Sequence, residues 1–179
     1  VTAINISSAG SGKHSGTWYD YDAFTCNGAF TTDAAPEATL EDLAECMAGT
    51  AVYGGEWQIN AGAWTASVMS LGDDDLSGQI EIVQADTPMG DLFNGVHGQL
   101  VAAGASSPSD FNPYQNATFV ADDGRELWTD ISLPFTDSLP RARNLARIFV
   151  ERNRSGLVIR FPAKLKAWTL QVGDRVAVT

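Results

Sequence analysis

LPFTDSLPRARNLARIFVERNRSGLVIRFPAKLKAWTLQVGDRVAVT, residues Leu133–Thr179, changes its hydrophobic period midway, and that change decides the fold class. Ser138 or Asp137 can cap a helix that begins near Leu139, with Pro140 tolerated in its first turn. Ala142, Leu145, Ala146 and Phe149 recur at helical spacing and form one apolar stripe. Arg152 and Arg154 stand at the C-terminal end, where positive charge favours the helix dipole, and Gly156 stops the helix. The period then falls to two, with Leu157, Ile159 and Phe161 alternating with Val158, Arg160 and Pro162. Ala167–Val172, a Gly173-Asp174 turn and Arg175–Thr179 read as a hairpin. The expectation is a helix, about 139–153, crossing onto a small antiparallel sheet.

The chain before this stretch alternates short strands with turn residues. Trp18–Phe30 is strand-like and aromatic. Thr39–Met47 is a predicted helix, with Leu40, Leu43, Ala44 and Met47 on one face and Glu37, Glu41, Asp42 and Glu45 outside. Ala51–Ile59 folds back at Gly54-Gly55, which sets Val52 opposite Trp57. Gln79–Ala85 and Leu92–Ala102 read as strands, and Gly104–Gln115 as a long loop. Asn116–Ala121, an Asp123-Gly124 turn and Glu126–Leu133 read as another hairpin. The predicted class is α+β: mainly antiparallel β in small barrel-like sheets, with two helices. Residues 1–16, rich in Ser and Gly, are expected to be a flexible or linker segment. A strand–helix–hairpin subdomain over 17–72 and a β subdomain with one crossing helix over 73–179 follow, divided near the Asp73-Asp74-Asp75 run.

Several of these pieces, taken in order, resemble the central tail-tip hub protein of lambda-type long-tailed phages. They are Tyr21–Phe30 (YDAFTCNGAF), Gly54–Gly62 (GGEWQINAG), Leu71–Leu76 (LGDDDL) with Asp91–Asn94 (DLFN), Leu133–Phe135 (LPF), Ala142–Arg154, and Leu170–Thr179. The likeness spans roughly Tyr21 to Thr179, and none of its pieces is a specific motif alone. It implies a hub-type fold in a virion structural protein, made in the bacterial host cytoplasm and placed at the tail tip. It implies self-association into a ring, a trimer in the full-length protein, joined to distal tail and tape-measure proteins. It also implies that this chain is a piece of something longer.

Composition bounds the alternatives. Over 179 residues the chain can bury a core, and 44% hydrophobic content with five Trp argues for folded structure. No run approaches the roughly 18 consecutive apolar residues of a membrane helix. The net charge of −11 hides an asymmetry. The first 140 residues hold two basic and twenty acidic side chains, net −18, and the last 39 hold nine basic and two acidic, net +7. Such a split suits a self-complementary assembly surface, and it also suits two halves that neutralise each other within one fold. On the predicted helix Arg143, Arg147 and Arg154 share a face beside the apolar stripe, and they are the candidate interface residues.

Catalytic signals are weak. His14 and His97 are the only histidines, and neither belongs to a nucleophile elbow or a zinc helix motif. Gly10-Ser11-Gly12-Lys13 lacks the spacing of a phosphate loop, and Asp73–Asp75 lacks the alternate spacing of a calcium loop. Cys26 and Cys46 make neither a disulfide framework nor a zinc site, so a buried free thiol is the favoured reading of Cys26. No catalytic residue, metal, cofactor or specific nucleic-acid site is expected. The competing function is a carbohydrate- or receptor-binding β module, which a concave row of exposed aromatics would favour. Trp57, Trp64 and Trp168 lie in apolar alternation and read as core, against that alternative.

Overall fold

The computed structural model describes residues 2–14, 17–33, 35–62, 66–102 and 104–179. The chain opens with a long antiparallel pair, β1 (Thr2–His14) and β2 (Thr17–Phe30), carrying one irregularity at Ser8/Ala9. The segment expected to be a flexible linker is therefore mostly strand. Polar, Gly-containing sequence does not prevent a ladder, because the ladder bonds belong to the backbone.

Helix α1 (Pro36–Glu45) follows, with Pro36 in its first turn. Next come β3 (Thr50–Tyr53) and β4 (Trp57–Asn60), paired antiparallel. Their connection takes three residues, Gly54 to Glu56, and Gly55 adopts a φ of +100°. Tyr53 therefore opposes Trp57, and Val52 opposes Gln58, one place away from the two-residue-turn expectation. Short strands β5 (Met69–Leu71) and β6 (Glu81–Gln84) flank a 3-10 turn over Asp73–Asp75.

The core is built around β7 (Gly95–Leu100). On one edge it meets β8 (Ser109–Asp110) and β9 (Tyr114–Gln115), both antiparallel. On the other it meets β10 (Trp128–Leu133), in parallel register from Gly95↔Trp128 to Leu100↔Leu133. Between β9 and β10 stands a third helix, α2 (Ala117–Asp123), where the sequence pattern predicts a strand and a hairpin turn. The caps explain the outcome. The Asn116 side chain accepts hydrogen bonds from the Thr118 and Phe119 amides, and Gly124 ends the helix at φ +67°. A parallel pair also needs a crossover that no tight hairpin can supply.

Helix α3 (Leu139–Asn153) lies across β7 and β9. Its buried face is Ala142, Leu145, Ala146 and Val150, packed with Val96, Leu100, Leu133 and Phe111. Phe149 is half-buried, one step round the helix from the expected stripe. Strand β11 (Val158–Arg160) pairs with β6, and Leu157 and Val158 there are 61% and 47% exposed rather than packed under the helix as expected. Ser138 occupies the N-cap position of α3 without a side-chain capping bond. Gly156 is required by close approach, since a Cβ there would strike Thr87.

The expected C-terminal hairpin does not form. Leu165–Thr169 is a 3-10 helix, and β12 (Val176–Val178) runs parallel to β5. That pairing joins residues 69–71 to the end of the chain, so the two proposed subdomains share a sheet. Gln58 is hydrogen bonded to Gln171, and Lys166 Nζ sits 2.6 Å from Asp75. Over the described residues the fold is α+β with three helices and several small sheets, mostly antiparallel, none closed into a barrel.

Candidate functional site

The three arginines singled out on α3 have different surroundings. Arg143 is exposed, and Arg147 reaches Glu151 at 3.7 Å and Asn144 at 3.1 Å, with about half of its side chain in solvent. A pair that exposed contributes about 0–1 kcal/mol. Arg154 is engaged inside its own chain. Its Nη1 donates to Asp123 Oδ1 at 2.8 Å, its Nη2 meets Asp123 Oδ2, and its guanidinium lies 4.6 Å from the Phe119 ring centroid. Arg143 and Arg147 thus stand in solvent on α3, whereas Arg154 ties α3 to α2.

Around Arg154 the structure assembles a polar cluster that no sequence motif marked. Asn94 is fully buried. Its Nδ2 donates to Asp123 Oδ2 and to the Arg125 carbonyl, both at 2.8 Å, and its Oδ1 accepts from the Leu127 amide at 2.8 Å. Its backbone amide donates to the Leu127 carbonyl, and its carbonyl accepts from the Asn116 amide. Asn153 makes a similar bracket, accepting from the Phe93 amide and donating to the Asp91 carbonyl. The Arg154 guanidinium, helped by Asn94, holds the Asp123 carboxyl at about 2 against an ordinary value of 3.8. Every partner is a backbone or side-chain group of the fold itself, which makes this cluster a staple between β7, α2 and α3.

The outward side of β7 and β10 carries a second constellation. Alternation along the paired strands brings His97, Gln99, Trp128, Asp130 and Ser132 to one exposed face. The His97 and Trp128 rings stack at 4.1 Å with 17° between their planes, and Gln99 donates to Asp110 at 2.9 Å. A shallow cleft of about 760 Å³ runs here, lined also by Phe111, Pro113 and Ile131. Among the described residues no hydrogen bond joins His97 to Asp130 or Ser132. Among the described residues no group of three His, Cys, Asp or Glu side chains is gathered as a metal site requires. No described helix is long and apolar enough to cross a membrane.

Large apolar side chains also stand in solvent. Leu165 and Trp168 are each 83% exposed, one 3-10 turn apart. Tyr53, Trp57 and Ile59 are exposed on the β3–β4 hairpin, with the Tyr53 and Trp57 rings 5.3 Å apart. Ile82, Val83, Leu157 and Val158 are exposed at the β6–β11 pair. The reading of Trp57 and Trp168 as core residues is therefore corrected: Trp57 sits on a short two-stranded pair and Trp168 on a 3-10 turn, and neither is covered. Trp64 lies outside the described residues. No protein-family model matches the chain, and neither does any curated protein.

Proposed function

We propose that this chain is a structural piece of a phage tail tip, part of the central hub that joins the tail tube to the host-recognition apparatus. One observation carries the reading: Leu165, Trp168, Tyr53, Trp57 and the β6–β11 residues leave large apolar surface in solvent on several small open sheets. Apolar surface of that kind marks contact with other protein. The charge split adds to it, since a basic α3 face on one copy complements the acidic first 140 residues of the next. Such a heterologous contact closes into a ring if the rotation between copies allows it. The ring would be a trimer in the full-length protein, in contact with distal tail and tape-measure proteins, in a virion assembled in the bacterial cytoplasm. The resemblance over Tyr21–Thr179 supplies this identity, and the exposed surface supplies the reason for assembly.

Mass measurement in solution tests the assembly half, with concentration-dependent oligomers as the expected result. Labelling the parent protein and imaging intact particles by electron microscopy tests the location, with density expected at the tail tip. Label confined to the head or absent from particles refutes the hub reading.

The exposed Tyr53–Trp57 pair favours a second reading, a carbohydrate- or receptor-binding β module. Binding to host surface polysaccharide that Trp57→Ala abolishes, with the chain monomeric throughout, would select this reading over the first.

A further inference from the structure

Two free thiols meet where the β1–β2 hairpin joins the rest of the chain. Cys26, on β2, and Cys46, the C-cap residue of α1, are each 4% exposed and form one buried cluster with Phe135. The two thiols share this one buried cluster, and Cys46 donates to the Leu43 carbonyl at 2.8 Å. Phe30 and Leu43 pack round them. The cluster is also a mechanical junction. The Asn27 amide donates to the Phe135 carbonyl at 2.9 Å, and the Asn27 side chain donates to Asp137 at 2.7 Å. These contacts fasten β2 to the segment that leads into α3.

We propose that Cys26 and Cys46 are a disulfide-forming pair, and that the bond, once made, locks the hairpin to α1. The oxidant is a low-molecular-weight disulfide. One cysteine thiolate attacks it, forming a mixed disulfide and expelling one thiolate. The second cysteine attacks the protein sulfur of that mixed disulfide, closing the Cys26–Cys46 bond and expelling the other thiolate. The two protons lost by the cysteines leave with the two reduced small thiols, so the exchange balances.

Burial shapes the timing. Loss of solvent, with the neighbouring Cys26 sulfur, pushes the Cys46 thiol up to about 12, and burial also raises Cys26. Neither sulfur is a thiolate at neutral pH while the cluster is closed, so exchange proceeds through its opening, and the closed bridge is shielded from reductants. The geometry differs from that of an isolated reactive cysteine, because a second thiol shares the same buried cluster and the loop between them spans residues 27–45.

The test is equilibration of the chain with oxidised and reduced glutathione, in native buffer and in urea, with products resolved by mass. The expected result is loss of two hydrogen masses in native buffer, with a bridge-forming equilibrium constant at least about tenfold larger than in urea. The bridged protein should melt roughly 6–12 °C above the reduced one, the shift a closed loop of this size implies for a chain of this length. Cys46→Ser should retain the fold by circular dichroism and yield a single glutathione adduct in place of the bridge. Glutathione adducts on both cysteines of the wild type, thiols that stay free in native buffer, or a bridge that forms without raising the melting temperature would each overturn the proposal.

Discussion

Asp123, the last residue of α2, receives both terminal nitrogens of Arg154, the C-cap residue of α3. The ends of the two helices are pinned there, with Asn94 of the neighbouring loop donating to the same carboxylate. The pair contributes to the acid limb of stability. The folded Asp123 carboxyl sits at about 2, below its ordinary 3.8, so its stabilisation is complete above pH 4–5 and lost as pH falls toward 2. Arg154→Met should lower the melting temperature at pH 6, and the gap to wild type should narrow between about pH 4 and pH 2. Melts followed by circular dichroism across that range check it, and a gap independent of pH would refute it.

Asn94 satisfies two carbonyl-type acceptors and one amide from a fully buried position. Asn94→Ala strands the Leu127 amide and the Arg125 carbonyl, and a buried polar group left unpaired costs about 1–3 kcal/mol. Denaturant unfolding should show a loss at least that large. A midpoint within error of wild type would mean that water replaces the side chain.

In the core, Leu145 is 1% exposed, whereas Phe149 is half-buried. Leu145→Ala should cost about 2–5 kcal/mol, and Phe149→Ala less than that despite the larger side chain removed. The order of the two unfolding midpoints decides whether α3 is rotated as described.

On the solvent side of α3, Arg143→Glu with Arg147→Glu should leave the chain folded, because an exposed pair such as Arg147–Glu151 adds about 0–1 kcal/mol. The same double change should weaken self-association, and rising salt should weaken the wild-type association as well. Sedimentation at several ionic strengths beside a thermal melt separates the two effects. Unaltered association would remove these arginines from the interface.

Much of the local structure was legible in residue order. The α3 helix announces itself through Pro140, the Ala142–Leu145–Ala146 spacing and the arginines near its end, all local signals. The β3–β4 hairpin follows from Gly54-Gly55 between apolar strands, although its three-residue loop shifts the facing pairs by one. For α2, the Asn116 cap and the Gly124 stop were both present, yet a seven-residue helix has too few turns to show a period against alternating neighbours.

What tertiary structure decided is who pairs with whom. The β7–β10 and β5–β12 pairs are parallel contacts between segments far apart in sequence. No local pattern encodes such partners, because their energy comes from burying faces that meet once the chain has collapsed. The same reason hid the polar staple and the thiol pair. Asn94, Asp123 and Arg154 come from a loop, the end of α2 and the cap of α3, and Cys26 and Cys46 from a strand and a helix end. Each residue alone is unremarkable in its own segment, and its chemistry depends on a neighbour that only the packed fold brings within hydrogen-bond range.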